Sequence, residues 1–470
     1  MLKRGSELEL TVEKVADRGK SLTRIDGYVV FIPGGIPGDK LRVRINKAKK
    51  KFAEAIILEV IEPSRDRIDA RCAHFGTCGG CKWQHMSYAA QLRAKQQSVE
   101  DALHRQGGLT EIAVNDVIGS ETVYRYRNKM EFSFSAERWL TAEEIGSGKP
   151  VDKSFALGLH VPGNFAKVLD LSECHLHSEE GERLLNRVRL LARENKWEPW
   201  HIRNHTGYLR HLVLRNAANT EDFMVNLVTN GFDEEKITEF AAVLKEEFPS
   251  VTTLVNTINT GVAQTAFGEE IRTIFGPGTI KDQIGRFTFE IAPNAFFQTN
   301  THQAENLYRV AASFAELKKT DHVYDLYSGA GTISIYIAEQ VKHVTGVELI
   351  EAATENARQN AAANGIKNVT FVTGDMMKLF RDEFVEEHGR PDVLIVDPPR
   401  AGMHPKVVAQ IIRLLPERFV YVSCNPISQA KDLSLLADSF EIEAVQPVDL
   451  FPHTYHIENV VKLRARKQNS

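Results

Sequence analysis

The sequence predicts a multidomain α/β protein with a small N-terminal β-barrel, an α+β middle domain and a C-terminal doubly wound, Rossmann-like domain. Residues 6–61 hold short alternating apolar runs separated by turn residues, which is typical of small barrels. Three cysteines lie close together between residues 72 and 81, within a stretch of mixed strand and helix patterns. From about residue 286, strand and helix patterns alternate, which predicts a mostly parallel sheet. We place the domain boundaries after residues 61 and 285.

The N-terminal segment predicts four or five short strands. Its clearest alternating runs begin at Leu8, Tyr28, Lys40 and Ala53, with turn residues between them. Such short strands predict a barrel of the OB type, a fold that often binds oligonucleotides. The Pro- and Gly-rich loop at 33–39, followed by basic strands, resembles the TRAM domain of RNA-modifying enzymes. Residues 1–60 carry 13 Lys or Arg against 8 Asp or Glu, an excess that an RNA partner or a solvated surface explains equally well.

The middle segment opens with Cys72, Cys78 and Cys81 in a Cys-x5-Cys-x2-Cys pattern. Zinc and iron–sulfur clusters both take four soft ligands, and Cys174 is the predicted fourth. We predict an iron–sulfur cluster whose four cysteines close the site, which indicates a structural or RNA-positioning role. Zinc stays open as an alternative, because histidines could replace a cysteine: His74, His85, His175 and His177.

The rest of the middle segment mixes helix and strand patterns. Residues 87–106 predict an amphipathic helix that Gly107 and Gly108 end. Tyr124–Met130 interleaves aromatic and basic residues, which predicts either a surface that stacks bases and holds phosphates or a polar edge strand. Strand patterns recur farther along, for example at 209–215 and 222–228.

The stretch Asp325–Ser334 carries the signature of a ligand-binding turn. A strand precedes it, Gly329 and Gly331 lie within it, and a helix pattern follows, which is how nucleotide-binding βαβ units begin. Glu348 ends the next strand roughly 20 residues on, where an acceptor for ribose hydroxyls belongs. A serine occupies position 334, where a pyrophosphate-binding fingerprint needs its third glycine. This favours a nucleoside ligand without a pyrophosphate, namely S-adenosylmethionine.

Three later strands also end in residues that carry chemistry. Asp375, Asp397 and Cys424 follow the third, fourth and fifth predicted strands of this domain, and Asp375 suits an adenine amino group. Because ligands meet the carboxyl ends of strands in doubly wound sheets, these residues should line one crevice. Cys424 is the candidate nucleophile beside the predicted methyl donor, with a buried structural cysteine as the alternative.

Methylation of uracil at C5 would explain such a cysteine. C5 is a poor nucleophile, but a thiolate that adds to C6 makes C5 enolate-like and able to attack a sulfonium methyl group. A base must then remove the C5 proton so that the thiolate can leave. Glu458, on the last predicted strand, is the candidate base, with a plain surface carboxylate as the alternative.

Together these motifs closely resemble the bacterial RNA uracil-C5 methyltransferase family. Within it they resemble the RumA-like 23S rRNA (uracil-5-)-methyltransferases, which combine a TRAM domain with an iron–sulfur cluster. The matching residues span the chain: Cys72, Cys78, Cys81, Cys174, Ala295–Asn300, Asp325–Gly331, Asp397–Arg400, Ser423–Pro426 and His456–Glu458. The resemblance implies that four residues contact S-adenosylmethionine: Gln298, Tyr327, Glu348 and Asp397.

The same resemblance implies that Cys424 is the nucleophile, that Glu458 accepts the proton and that the four cysteines hold a [4Fe-4S] cluster. It places Phe296 and Phe297 near the active site, although a core role suits them equally. It also implies that the helix after the cysteines, within 86–117, packs with the catalytic domain.

The predicted substrate is 23S rRNA, because the tRNA-specific bacterial relatives look shorter and lack the barrel and the four cysteines; tRNA is the alternative. Three other classes are less compatible with the motifs. An iron–sulfur RNA-binding protein without catalysis would need neither Cys424 nor Glu458. Amine methyltransferases favour an aromatic residue where Arg400 stands, and radical methylthiotransferases space their cysteines differently.

The composition is that of an ordinary globular protein, with 43% hydrophobic and 26% charged residues. No apolar run reaches the ~18 residues of a transmembrane helix, and the N-terminus lacks the apolar core of a secretory signal. We therefore expect a cytoplasmic protein without a membrane partner. We also expect a monomer with no obligate protein partner.

Overall fold

The computed structural model describes residues 2–467, and its first part is a six-stranded sheet in the order β1-β5-β6-β4-β3-β2. The strands are β1 (Glu7–Thr11), β2 (Lys14–Val15), β3 (Ser21–Ile25), β4 (Tyr28–Ile32), β5 (Lys40–Ala48) and β6 (Phe52–Glu62). Alternation buries Leu41, Val43 and Ile45 of β5 in one apolar cluster. The prediction missed β3 because its inward residues include the polar Ser21 and Thr23, which hide the alternation.

The second part is an eight-stranded sheet in the order β14-β13-β12-β11-β7-β9-β10-β8. Its strands are β7 (Lys129–Ser135), β8 (Arg138–Trp139), β9 (Ala156–Val161), β10 (Asn164–Asp170), β11 (Leu209–Asn216), β12 (Phe223–Thr229), β13 (Thr253–Ile258) and β14 (Glu270–Phe275). The helices of this region are α1 (Tyr88–Gly107), α2 (Ala142–Gly146), α3 (Glu179–Glu194) and α4 (Glu234–Glu247). Leu184 and Val188 of α3, with Phe240 of α4, join the strands in one core. The N-cap side chains Ser178 and Asp233 begin these two helices.

The third part is a seven-stranded sheet in the order β19-β18-β17-β20-β21-β23-β22, parallel except for β23. The strands from residue 280 onward are β15 (Ile280–Ile284), β16 (Phe287–Ile291), β17 (His322–Leu326), β18 (His343–Glu348), β19 (Val369–Thr373), β20 (Val393–Val396), β21 (Arg418–Ser423), β22 (Phe440–Val448) and β23 (Glu458–Ala465). The helices are α5 (Thr301–Ala315), α6 (Thr332–Ile337), α7 (Glu351–Ala363), α8 (Met376–Leu379), α9 (Asp382–His388), α10 (Pro405–Leu414) and α11 (Pro426–Leu436). Helices between successive parallel strands make this sheet doubly wound.

The boundary that we placed after residue 285 falls in the turn of a hairpin. Strands β15 and β16 pair antiparallel, and residues of both lie in one core cluster with Val323 of β17. The apolar core of the third part therefore includes residues on both sides of that boundary, and Met224 and Val255 of the second part join it.

Helix α1 comes early in the sequence but packs into the core of the third part. It ends where Gly108 adopts a left-handed φ of 67°, as the predicted Gly-Gly stop requires. Its Val99 and Leu103 share a cluster with Leu433 and Leu436 of α11. No helix within residues 2–467 has the length and apolarity to cross a membrane.

The aromatic and basic stretch Tyr124–Met130 is not an edge strand, because it enters the central strand β7 at Lys129. Its contact with RNA stays a prediction. Tyr126 is buried, and its hydroxyl donates to the carbonyl of Pro452 at 3.1 Å. The intervening Arg125 and Arg127 instead donate their backbone N–H groups to the loop that follows Cys174. The stretch therefore lies between the second and third parts of the chain and contacts both.

Candidate active site

The turn after β17 is built by its own backbone and by Glu348. Tyr327 has a φ of 67°, and its N–H, like that of Ser328, donates to the carbonyl of Val347 on β18. The Glu348 carboxylate accepts one N–H from Gly329 and one from Ile350, both at 3.0 Å. A carboxylate has about four acceptor positions, so Glu348 shapes the turn and still has capacity for a ribose hydroxyl.

The two glycines of the turn have different roles. A Cβ on Gly331 would lie 2.6 Å from the ring of Phe371 on β19, so packing against the sheet requires this glycine. Gly329 has a φ of 55°, and a Cβ there would meet no atom within 4 Å. Of the two, only Gly329 borders open space of the kind that a ligand needs.

A buried carboxyl group, Asp325, and a partly buried one, Asp397, lie at the ends of neighbouring strands β17 and β20. Asp325 accepts from the Ser334 hydroxyl at 2.6 Å, while its other oxygen has no hydrogen-bond partner among residues 2–467. Burial raises the pKa of Asp325 to about 7. Burial and the nearby Asp325 raise the pKa of Asp397 to about 7 as well. An unpartnered buried carboxyl oxygen favours a cationic ligand, and S-adenosylmethionine carries an ammonium and a sulfonium charge.

Two other predicted cofactor residues, Tyr327 and Asp375, follow β17 and β19 and therefore lie at the same edge of the sheet. Asp375 follows β19 and caps α8 by accepting from the N–H of Met377 at 3.0 Å. Burial raises the pKa of the Tyr327 phenol to about 12, and the charges of Asp432 and Asp375 add to the rise. Gln298 lies in the loop before α5 and is buried.

Cys424 and Glu458 are brought together by strand register. Strands β21 and β23 pair Ser423 with Asn459, so Cys424, the residue after β21, comes opposite Glu458, the first residue of β23. Burial, then the charges of Glu458 and Asp397, raise the pKa of the Cys424 thiol to about 11. Glu458 is 4% exposed, and burial and Asp397 raise its pKa well above the usual value. Burial and nearby charges shift the pKa values of both groups, as is common for catalytic residues. Cys424 and Glu458 are therefore candidates for a nucleophile and a base.

Arg400 is a further candidate site residue, which the sequence indicates only as the last residue of the Asp397–Arg400 motif and without a role in the reaction. Its guanidinium lowers the pKa of both Cys424 and Glu458, against the opposing effect of burial. Its backbone carbonyl accepts from the Asn425 amide at 2.8 Å and from the Ser428 hydroxyl at 3.0 Å, which ties it to α11. The only signal in the sequence was an arginine directly after Asp397-Pro-Pro.

Removing the Arg400 charge should move the pH dependence of thiol addition. Because the thiolate is the reactive form and Arg400 stabilises it, Arg400→Met should raise the pKa of Cys424. Each unit of that rise lowers the thiolate fraction about tenfold below the pKa. The rate of covalent trapping on RNA, measured from neutral to alkaline pH, should therefore rise at higher pH than in the wild type. Arg400→Lys is the control that keeps the charge, and superimposed profiles for all three proteins would contradict this role.

The four predicted metal ligands are partly buried free thiols. Within residues 2–467, no group of three or more His, Cys, Asp or Glu side chains is arranged to hold a metal ion, so the predicted metal site is not shown. The thiols are nevertheless neighbours. Burial, followed by Cys174, Cys78 and Cys72, raises the pKa of Cys81 to about 12. Four thiols held near one another remain a donor set of the type that an iron–sulfur cluster takes.

Comparisons with known proteins agree with this geometry. Residues 278–466 match the family model described as tRNA (Uracil-5-)-methyltransferase, and residues 2–58 match the TRAM domain. A protein of Bacteroides thetaiotaomicron called an uncharacterized RNA methyltransferase is 40% identical over 96% of this chain and all of its own length. One of Porphyromonas gingivalis with the same description is 42% identical, over 97% of this chain and 99% of its own.

The chain belongs to the RNA (uracil-5-)methyltransferase family. Among solved structures, the tRNA (uracil-54, C5)-methyltransferase of Pyrococcus abyssi, in complex with S-adenosyl-L-homocysteine, is 28% identical with a TM-score of 0.75. The alignment covers 97% of this chain and all of the other. The predicted enzyme class, TRAM domain and Rossmann-like methyltransferase domain are thereby confirmed, and S-adenosylmethionine is the methyl donor of this RNA (uracil-5-)methyltransferase.

Proposed function

We propose that this methyltransferase modifies C5 of a uridine in 23S rRNA through a covalent adduct between Cys424 and C6 of the base. The observation that carries the proposal is the meeting of Cys424 and Glu458 across the β21–β23 register, with Asp397 and Arg400 beside them. A nucleophile, a buried base and a cation at one strand edge are what addition and elimination at a uracil ring require.

In the proposed reaction, the Cys424 thiolate forms a bond to C6, and the ring electrons shift toward C5. S-adenosylmethionine supplies the methyl group that C5 takes up. Glu458 then removes the C5 proton, the C5–C6 double bond re-forms, and the thiolate leaves. Arg400 favours the thiolate both before it adds to C6 and when it leaves, because the Arg400 charge lowers the Cys424 pKa.

The cofactor assignments are part of the same proposal. Glu348 would accept ribose hydroxyls, Asp375 would accept from the adenine amino group, and Gln298, Tyr327 and Asp397 would contact the remainder of S-adenosylmethionine. The supporting observation is that Glu348, Asp375 and Asp397 end or follow β18, β19 and β20 at the edge where the Gly329 turn follows β17. A Cβ on Gly329 would meet no atom within 4 Å.

The choice between 23S rRNA and tRNA as substrate depends on comparison with relatives and not on the geometry of the site. The prediction of 23S rRNA rests on tRNA-specific bacterial relatives that look shorter and lack the barrel and the four cysteines. The Pyrococcus abyssi enzyme is named a tRNA methyltransferase, and it aligns along essentially the whole of both chains. A tRNA substrate is therefore an equal second candidate for this chain.

Trapping with 5-fluorouracil-substituted RNA should separate these substrates. Fluorine at C5 cannot leave as a proton, so the adduct should survive denaturation. With S-adenosylmethionine present, we expect a covalent complex on a 23S rRNA fragment and none on tRNA, measured by the shift of the protein on a denaturing gel. A complex on tRNA alone would keep the mechanism and replace the substrate. A complex on neither RNA, with cofactor bound, would contradict the covalent mechanism for these substrates.

We further propose that Cys72, Cys78, Cys81 and Cys174 hold a [4Fe-4S] cluster. The support is their proximity in space across about a hundred residues of chain, since Cys174 raises the pKa values of both Cys72 and Cys81. Protein purified without oxygen should be brown and contain about four irons per chain. Cys78→Ser should lose the iron, whereas Cys424→Ser should keep it. A colourless wild-type protein with one zinc would overturn the cluster.

A further inference from the structure

The base candidate Glu458 begins β23 directly after a nine-residue connection from β22, which we name the strap (residues 449–457). The strap lies at the edge of the sheet where β21 and β22 end and β23 begins. Strand pairing sets the register of β23, but the strap determines the direction in which the chain enters its first residue. Motion of the strap is therefore expected to change the position of the Glu458 carboxyl.

The strap starts at a fully buried ion pair. The Lys95 ammonium lies 2.6 Å from the Asp449 carboxylate, and neither side chain is exposed. The same ammonium donates to the carbonyl of Phe451 at 3.0 Å, and the Tyr88 hydroxyl donates to the other Asp449 oxygen at 3.0 Å. Lys95 and Tyr88 both lie on α1. Helix α1 thus holds the first turn of the strap through charge-assisted hydrogen bonds.

The middle of the strap is held at His453, whose backbone N–H and carbonyl both form hydrogen bonds with residues outside the strap. His453 donates its N–H to the Gln91 amide oxygen at 2.8 Å, and its carbonyl accepts the N–H groups of Lys82 and Trp83 at 2.8 and 3.0 Å. Its ring stacks on Tyr124 with centroids 4.2 Å apart. His453 has a φ of 66°, a conformation that a residue with a side chain keeps only where its surroundings enforce it.

The contacts described above all involve residues from two stretches of the chain. They come from residues 82–95 and 124–126, outside the seven-stranded sheet that carries Glu458. The two N–H groups on the His453 carbonyl belong to the residues directly after Cys81. The cysteine loop and α1 together therefore hold the connection that leads to the base.

We propose that Lys95 and Asp449 are positioning residues that hold the strap so that the Glu458 carboxyl faces the proton at C5. This inference rests on the proposed function, because only the elimination step uses Glu458. Lys95 and Asp449 therefore act after Cys424 has added to the base. Loosening the strap should slow proton removal and leave addition and methyl uptake intact.

The test variant is Lys95→Met combined with Asp449→Asn, which removes both charges without leaving either one buried and unpaired. With natural substrate RNA and S-adenosylmethionine, we expect kcat to fall roughly 10- to 100-fold, the scale on which small misplacements act. The KM for RNA should stay within about twofold, and a methylated protein–RNA adduct should accumulate. The trapping rate on 5-fluorouracil RNA should be unchanged, because trapping precedes proton removal.

The matched control lies on another face of the same helix. Lys14 and Asp101 also form an ion pair at 2.6 Å, but it joins α1 to β2 and is partly exposed. Lys14→Met combined with Asp101→Asn should leave kcat and adduct level as in the wild type. A test variant that loses product and trapping equally, without adduct, would overturn the positioning role. A wild-type protein that never forms an adduct would instead overturn the proposed function.

Hydrogen exchange gives a readout that needs no RNA. In the Lys95/Asp449 variant, the backbone amides of residues 449–457 should exchange faster, while those of β21 and β22 keep their protection. The Lys14/Asp101 variant should match the wild type over the same residues. Unchanged exchange of the strap would show that the ion pair does not hold it, and would overturn the inference even if turnover falls.

Discussion

Cys424→Ala is expected to reduce methylation of the substrate RNA by at least about 10⁴-fold, the scale on which loss of a covalent nucleophile acts. Without the thiolate, C6 receives no nucleophile and C5 does not become enolate-like. Covalent trapping on 5-fluorouracil RNA should disappear as well. Turnover is measured by transfer of labelled methyl groups, and trapping by a denaturing gel.

The same variant should bind S-adenosylmethionine almost as the wild type does, because the turn at Gly329 and the carboxylate of Glu348 are untouched. Isothermal titration would check this. Ser434→Ala, an exposed change on the neighbouring α11, is the matched control and should retain full turnover. Methylation by Cys424→Ala at the wild-type rate would refute the covalent mechanism.

Glu458→Gln is expected to lower turnover about 10²- to 10⁴-fold, the usual contribution of a general base. Unlike Cys424→Ala, it should leave addition and methyl uptake in place. The protein should therefore accumulate on natural RNA as a methylated adduct that survives denaturation. Mass spectrometry of the adduct would identify the extra methyl group, and normal turnover without adduct would rule out Glu458 as the base.

Measuring the stability of Glu458→Gln against pH distinguishes loss of the catalytic base from misfolding. The raised pKa of Glu458 means that the folded protein binds this proton more tightly than the unfolded chain does. Its contribution to stability is therefore present at low pH and is lost as the pH rises through the folded-state pKa. Glutamine carries no charge, so Glu458→Gln should be at least as stable as the wild type at alkaline pH. Glu441→Gln, exposed on β22, serves as the control for both measurements.

The sequence by itself was sufficient for features that depend on local pattern. Alternating residues and turn signals predicted most of the first sheet, and the Gly-containing turn after a strand predicted where β17 ends. The acids and the cysteine that follow successive parallel strands could be placed at one edge, because the carboxyl ends of parallel strands share that edge. The meeting of Cys424 with Glu458, which begins an antiparallel strand, depends on the β21–β23 register instead.

Only the tertiary structure decided features that depend on contacts between distant residues. Lys95 and Asp449 are 354 residues apart, and no periodicity links them. Tyr126 follows an aromatic and basic pattern that suggested RNA contact, yet it is buried against the strap. Arg400 acquired its role because helix α11 fixes its backbone beside Cys424. Local pattern determines which elements form, whereas the desolvation and pairing of charges depend on which elements come to lie together.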